Sequence, residues 1–241
     1  MHAVVIICQK ELRSFFDSLF AYILLALFIG ITGFFTWMSD SDIFLVGQTS
    51  LRGFFSFAYW SVFFFATALT MRMLTEERKT KAEEFTFVKS PSNRQILLGK
   101  FFGALILVAI ALLFTIPYVF TLAYLGNLDQ GEVAGGYLAL LLMGGAYISI
   151  GLLVSSITSN PVVSFLLTIT MGLFFHIIFE VLAAKVNGLL LDLVTYLSMS
   201  AHFERMTRGM LDSRDVLYFL SITCIGLILS ELTLTRRNIL N

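Results

Sequence analysis

The sequence predicts an all-α integral membrane protein that crosses the bilayer six times, and three observations predict it. Of 241 residues, 58% are hydrophobic and 13% charged, with mean hydropathy +0.88. A soluble domain carries about 25% charged residues and needs them to cover its surface. The apolar residues fall in long runs, each close to the ~20 residues that a helix needs to cross a hydrocarbon core ~30 Å thick. These runs are far longer than barrel strands, and backbone polar groups in lipid must be satisfied internally, so helices follow. No internal repeat or low-complexity tract appears, and a single domain, 1–241, accounts for the chain.

Residues 3–17 read as an amphipathic helix at the membrane interface. Val4, Cys8, Leu12, Phe15 and Leu19 share one helical face, while Gln9, Lys10, Arg13 and Asp17 lie elsewhere, the basic side toward headgroups; Lys10, Glu11 and Arg13 are the candidate residues of this helix. The apolar run that follows is long and ends without a small-residue cleavage site, so it is expected to be a span and not a signal peptide.

The six predicted spans are 18–38, 54–74, 101–125, 137–157, 162–183 and 216–235. Pro117 is expected to kink the third. Gly144, Gly145 and Gly151, with Ala146 and Ser149, allow close helix approach along the fourth. Cys8 and Cys224 lack metal-ligand or redox spacing and read as packing residues.

Lysine and arginine placement gives direction. With the N-terminus inside, Lys10, Arg13, Arg72, Arg78, Lys79, Lys81, Lys89, Arg94, Lys100, Arg236 and Arg237 lie on the cytoplasmic side. Arg52, Lys185, Arg205, Arg208 and Arg214 lie outside, eleven against five. The positive-inside rule therefore puts both termini in the cytoplasm. The net charge of zero excludes a nucleic-acid footprint.

Two polar segments interrupt the apolar pattern. In the connection between spans 2 and 3, Glu76, Glu77, Arg78, Lys79, Glu83 and Glu84 alternate acid and base with helix-supporting pairs, such as Glu77 with Lys81. Ser90, Pro91, Ser92 and Asn93 then break the helix, and residues 94–100 lead into the third span. A short charged helix here suits a docking surface for a soluble subunit. A solvated loop obeying the positive-inside rule explains its bases but does not call for four glutamates.

The second segment, 185–215, holds runs near 189–197 and 203–211 too short to cross, expected as helices at the outer leaflet. Arg205, Arg208, Asp212 and Asp215, spaced by three and four, suggest local ion pairs. His202 and Glu204 carry no nucleophile or metal-ligand spacing.

Within the spans, His176 and Glu180 stand four apart and could pair between helices or line a pathway. The second span carries Phe54, Phe55, Phe57, Tyr59, Trp60, Phe63, Phe64 and Phe65. They could line a path for an amphipathic substrate, but contact with lipid or an interface belt is the more frequent use. No phosphate-binding loop is present, since Arg94 stands where the leading glycine before Gly99 and Lys100 is required, and no HExxH or GxSxG motif occurs.

The chain resembles ABC-2 type ABC transporter permeases, and within them the permease subunit of the gliding-motility-associated ABC transporter. Three groups of residues carry the resemblance: the entry helix near Lys10-Glu11-Leu12; Glu76-Glu77-Arg78-Lys79, Glu84 and Gly99-Lys100; and His202-Phe203, Arg208-Gly209, Asp212, Arg214-Asp215 and Tyr218-Phe219. Lys81-Ala82 departs from a family glycine-threonine, Pro91 is displaced by one position, and Phe85-Thr86-Phe87 replaces a leucine run.

The resemblance implies a non-catalytic permease in a bacterial inner membrane. It would be paired with a second copy or a paralogue, clasped by two copies of an ABC ATPase that binds ATP and magnesium, and accompanied in some systems by a further membrane or extracytoplasmic subunit. Exported lipids, glycans or hydrophobic molecules are the implied cargo, with no cofactor, metal or catalytic residue in this chain. Two other classes compete: a membrane scaffold without transport of its own, and an intramembrane enzyme using His176, Glu180, His202 or Glu204.

Overall fold

Helix is the only regular structure among the described residues of the computed structural model, which are 2–38, 51–75, 91–183 and 185–240. The order is α1 (His2–Asp17), α2 (Leu19–Met38), α3 (Arg52–Met73), α4 (Asn93–Leu113), α5 (Ile116–Leu125), α6 (Gln130–Ile157) and α7 (Pro161–Leu173). A π-helical turn (Phe174–Ile178) follows, then α8 (Phe179–Ala183), α9 (Leu189–Leu197), α10 (Met199–Thr207) and α11 (Ser213–Leu240). Six segments are long and apolar enough to cross a membrane: Leu19–Met38, Arg52–Met73, Asn93–Leu125, Gln130–Ile157, Pro161–Ile178 and Ser213–Arg236.

Local chemistry sets the boundaries. Ser92 and Gln95 form a reciprocal capping box, the Gln95 N–H donating to Ser92 Oγ at 3.3 Å and the Ser92 N–H to Gln95 Oε1 at 3.1 Å. Residues 94–100, expected as a lead-in, are therefore the first turns of the third span itself. Asp129 caps α6 through the Gly131 N–H at 2.8 Å, and Asn160 caps α7 ahead of Pro161. The predicted break in the third span falls at Phe114–Thr115, where α4 ends and α5 begins with Pro117 in its first turn. The Thr115 hydroxyl there shares a 2.9 Å hydrogen bond with the Tyr137 hydroxyl, tying the break to α6.

The fourth span is the axis of the bundle. In its most apolar window 78% of residues are buried, against 17% for the sixth span. Missing side chains make this possible. A Cβ at Gly151 would collide with Thr70, one at Gly136 with the Phe55 ring, and one at Gly144 would sit 3.3 Å from Val62 and 3.1 Å from Val108. Gly226 of α11 meets Ser149 in the same way. Hydroxyls in the spans mostly bond to carbonyls one turn back, as Thr67 does to Phe63 O at 2.8 Å and Ser230 to Gly226 O at 2.7 Å, which satisfies them without water.

Asn93 Nδ2 donates to Thr235 Oγ1 at 3.4 Å, so the start of α4 and the last turns of α11 lie at one end of the bundle, with α1 packed there against α4. This is the terminal end. Helices α9 and α10, together with the turn 126–129, occupy the distal end.

Candidate functional site

At the terminal end, α1 rests on α4 across two glycines. A Cβ on Gly99 would stand 2.6 Å from Ile7 Cβ, and one on Gly103 would stand 3.0 Å from Glu11 Cβ. That close approach brings Glu11 Oε1 to 2.6 Å from Lys100 Nζ, with the lysine fully buried. Glu11 thus faces a neighbouring helix, while Lys10 and Arg13 are exposed on α1. Burial, then the Glu11 carboxylate, push the Cys8 thiol above its ordinary range, which suits a packing residue and not a nucleophile. Cys224, by contrast, is exposed on α11. The expected ATPase-coupling residues Glu76, Glu77, Arg78, Lys79, Glu83 and Glu84 lie outside the described residues.

At the distal end, the outer-motif residues build a buried polar knot. His202 Nδ1 lies 2.5 Å from Asp215 Oδ1, and His202 Nε2 donates to Tyr196 O at 2.8 Å. Arg205 donates to the same Asp215 oxygen through Nε at 3.1 Å and Nη2 at 2.7 Å. The His202 ring stacks on Tyr218 with centroids 3.9 Å apart, and Tyr218 donates to Leu197 O at 2.6 Å. These bonds join α9, α10 and the start of α11.

The remaining motif positions are structural as well. Asp212 accepts from the Arg214 N–H at 3.0 Å, and chiefly that bond holds its carboxyl below the usual carboxylate range. Gly209, at φ 81°, passes so close to α6 that a Cβ would stand 3.1 Å from the Gly131 carbonyl carbon. Arg208 pairs with Glu204 at 3.1 Å on the exposed face of α10. The ion pairs expected at spacings of three and four among Arg205, Arg208, Asp212 and Asp215 are thus replaced. One pair runs across the turn, one runs back along α10, and Asp212 serves as a cap.

Beside the knot, α3 and α10 enclose a cleft of about 700 Å³. Its floor is aromatic, made by Phe55, Tyr59, Trp60 and Phe203, with Tyr59 and Phe203 centroids 4.7 Å apart. Arg52, Glu204 and Arg208 are among its charged lining residues. Behind the floor stands His176, brought inward from the π-helical turn, its ring 3.9 Å from Tyr59 and 4.1 Å from Trp60. His176 Nδ1 hydrogen-bonds the Tyr147 hydroxyl at 2.6 Å, while Nε2 is buried with no hydrogen-bond partner. Glu180, expected on the same face four residues on, has its side chain outside the described residues.

Lipid contact for the second-span aromatics, the more frequent use, is mostly not what the fold gives. Phe54, Phe55, Tyr59, Phe63 and Phe65 are buried, and only Trp60 and Phe64 keep substantial exposure. The cause is that α3 is packed against α2, α6 and α7, so it is apolar on nearly every side. The α3 side of the cleft has a signal in the sequence: Arg52, Ser56 and Trp60, and beside them Phe55 and Tyr59, recur every four residues. Gly99 and Gly103, a small-xxx-small pair, likewise announce the seat of α1. Chemically the cleft can hold a molecule that is part apolar and part charged. Among the described residues no group of three or more His, Cys, Asp or Glu could hold a metal ion.

A family model described as ABC-2 family transporter protein matches residues 38–234. No curated protein matches the chain. The chain belongs to the ABC-2 transporter family: it is a multi-pass permease subunit of an ABC transporter, a family whose membrane subunits are generally non-catalytic and work with an ABC ATPase subunit.

Proposed function

Starting from that membership, we propose that the chain is the permease of an exporter, moving an amphipathic or hydrophobic substrate outward with ATP hydrolysed on a separate subunit. Two ATPase copies bind ATP and magnesium and act on a pair of permeases, either two copies of this chain or this chain and a paralogue. The observation that carries the orientation in the membrane is positional. Eleven of sixteen lysines and arginines fall on the side of the termini under the six-span topology. With that side in the cytoplasm of a bacterial inner membrane, the cleft opens at the outer leaflet. The charged connection carrying Glu76, Glu77, Glu83 and Glu84 then meets the ATPase, and α4, which begins just after it, and α1 transmit its displacement. The likeness of the outer motif to gliding-motility-associated permeases supports a place in that kind of system.

Two measurements test the reading. Co-reconstituted with its ATPase, the chain is expected to support ATP-dependent loss of substrate from the inner face, and reversal of the four glutamates to lysine is expected to uncouple or release the ATPase. Unchanged co-purification and coupling in that variant would remove the docking assignment. For orientation, Asp129→Cys is expected to react with an impermeant maleimide from outside and Lys89→Cys only after permeabilisation; the reverse pattern overturns the placement of the termini in the cytoplasm.

A further inference from the structure

We infer that Ser155 is a positioning residue for coupling: it fastens the inner end of α3 to α6, so that a displacement of the connection leaving α3 is delivered to the axis of the bundle. The inference rests on the reading that this connection meets the ATPase, and adds the route by which movement enters the spans.

Register comes first. Phe55 meets Gly136, Thr70 meets Gly151, and the Leu74 N–H donates to Ser155 Oγ at 3.2 Å. Each pair is separated by the same 81 positions, so α3 and α6 run parallel and side by side through the membrane. A Cβ at Gly136 or Gly151 would collide with its partner, so the two helices touch closely at both levels.

Place comes second. Leu74 is the C-cap of α3, and Thr75 beside it is fully buried, its hydroxyl donating to Met71 O at 2.8 Å. The charged connection begins with Glu76, so the bond to Ser155 is a fixed point two residues ahead of it. The far end of the connection is held elsewhere: α4 begins at Asn93 and is tied to α1 through Lys100 and Glu11.

Chemistry comes third. Ser155 is fully buried, and its hydroxyl accepts from another helix. Ser149, equally buried on α6 where Gly226 of α11 comes close, instead donates within its own helix to Ala146 O at 2.7 Å. Lipid tails are as apolar as a neighbouring helix, so apolar attraction alone does not hold two spans together. A hydrogen bond between them, in an interior without water, adds a point that favours one register.

The test uses the full chain with its ATPase in nanodiscs, in a Cys224→Ser background. Nitroxide labels go on Ile157→Cys at the inner end of α6 and on Ile6→Cys of α1, both exposed positions. With ATP and vanadate, double electron–electron resonance is expected to show a second distance population that is missing without nucleotide. Ser155→Ala is expected to lower that population about fivefold, the order of one interhelical hydrogen bond. Ser149→Ala, which removes an equally buried hydroxyl from the same helix, is expected to leave it unchanged. In the full chain alone, hydrogen exchange at amides 72–75 is expected to quicken in Ser155→Ala and not in Ser149→Ala.

An unchanged nucleotide-dependent population in Ser155→Ala overturns the proposal. So does an equal loss in Ser149→Ala, which would mean a general loosening of α6. A complex that hydrolyses ATP without any second population also sinks the route through Ser155, and leaves the ATPase docking reading standing. If reversal of Glu76, Glu77, Glu83 and Glu84 leaves docking and the second population intact, the docking assignment fails, while its loss in Ser155→Ala still supports the route.

Discussion

The two ends of the bundle bury charge in different ways. At the terminal end a buried lysine meets a carboxylate, Lys100 with Glu11, at a crossing made by two glycines. At the distal end one carboxylate, Asp215, is held by a histidine and an arginine together, and the histidine is fixed again by a carbonyl and by a stacked tyrosine. A buried pair at a helix crossing ties two elements together, its desolvation cost met by the geometry of that crossing. A multiply bonded carboxylate fixes several elements at once. The contrast teaches that α1 is clipped to α4, whereas α9, α10 and the start of α11 are locked as one unit. The clip lies at the end where α3 leaves and α4 enters the bundle, and the locked unit lies beside the cleft.

Substitutions can break or sharpen that contrast. The largest effect is expected at the lock: Asp215→Ala strands His202 and Arg205 and should cost about 3–5 kcal/mol, the range for removing one partner of a buried pair. Thermal unfolding in detergent measures it, and an unchanged midpoint would mean that packing alone holds α10. Next comes the clip. Lys100→Met leaves Glu11 without its partner and should cost about 1.5–3 kcal/mol, as for a hydrogen bond between charged groups. The double substitution Glu11→Leu with Lys100→Met should recover most of that loss, and hydrogen exchange in α1 should report the loosening. If the double variant is no better than the single, the clip is not a pair. The smallest effect belongs to the exposed pair: Glu204→Gln should change stability by no more than about 0.5 kcal/mol, as for other exposed pairs. A larger loss would show that Glu204 belongs to the lock.

Much of this architecture was legible along the chain. Long apolar runs, Pro117 and the glycines of the fourth span foretold six crossings, where the third breaks, and a close approach of other helices along the fourth; the Ser92–Gln95 cap was legible only as a break. The site was less legible because it joins residues remote in sequence. Tyr59 and Phe203 meet across a gap no periodicity reports, and Asp215 is ten positions from Arg205, too far for a helical pair. The sequence also let the aromatics of α3 face lipid, since composition cannot tell a lipid-facing ring from one packed between helices.

Sequence by itself determined that the chain is built of helices long and apolar enough to cross a membrane, because hydrophobic length is a local property. Only the tertiary structure decided which polar groups are held and which aromatic rings make a floor. Those depend on which helix lies beside which, a choice made by shape at glycines such as Gly99, Gly135 and Gly209, where the absence of a side chain lets another backbone or side chain come close.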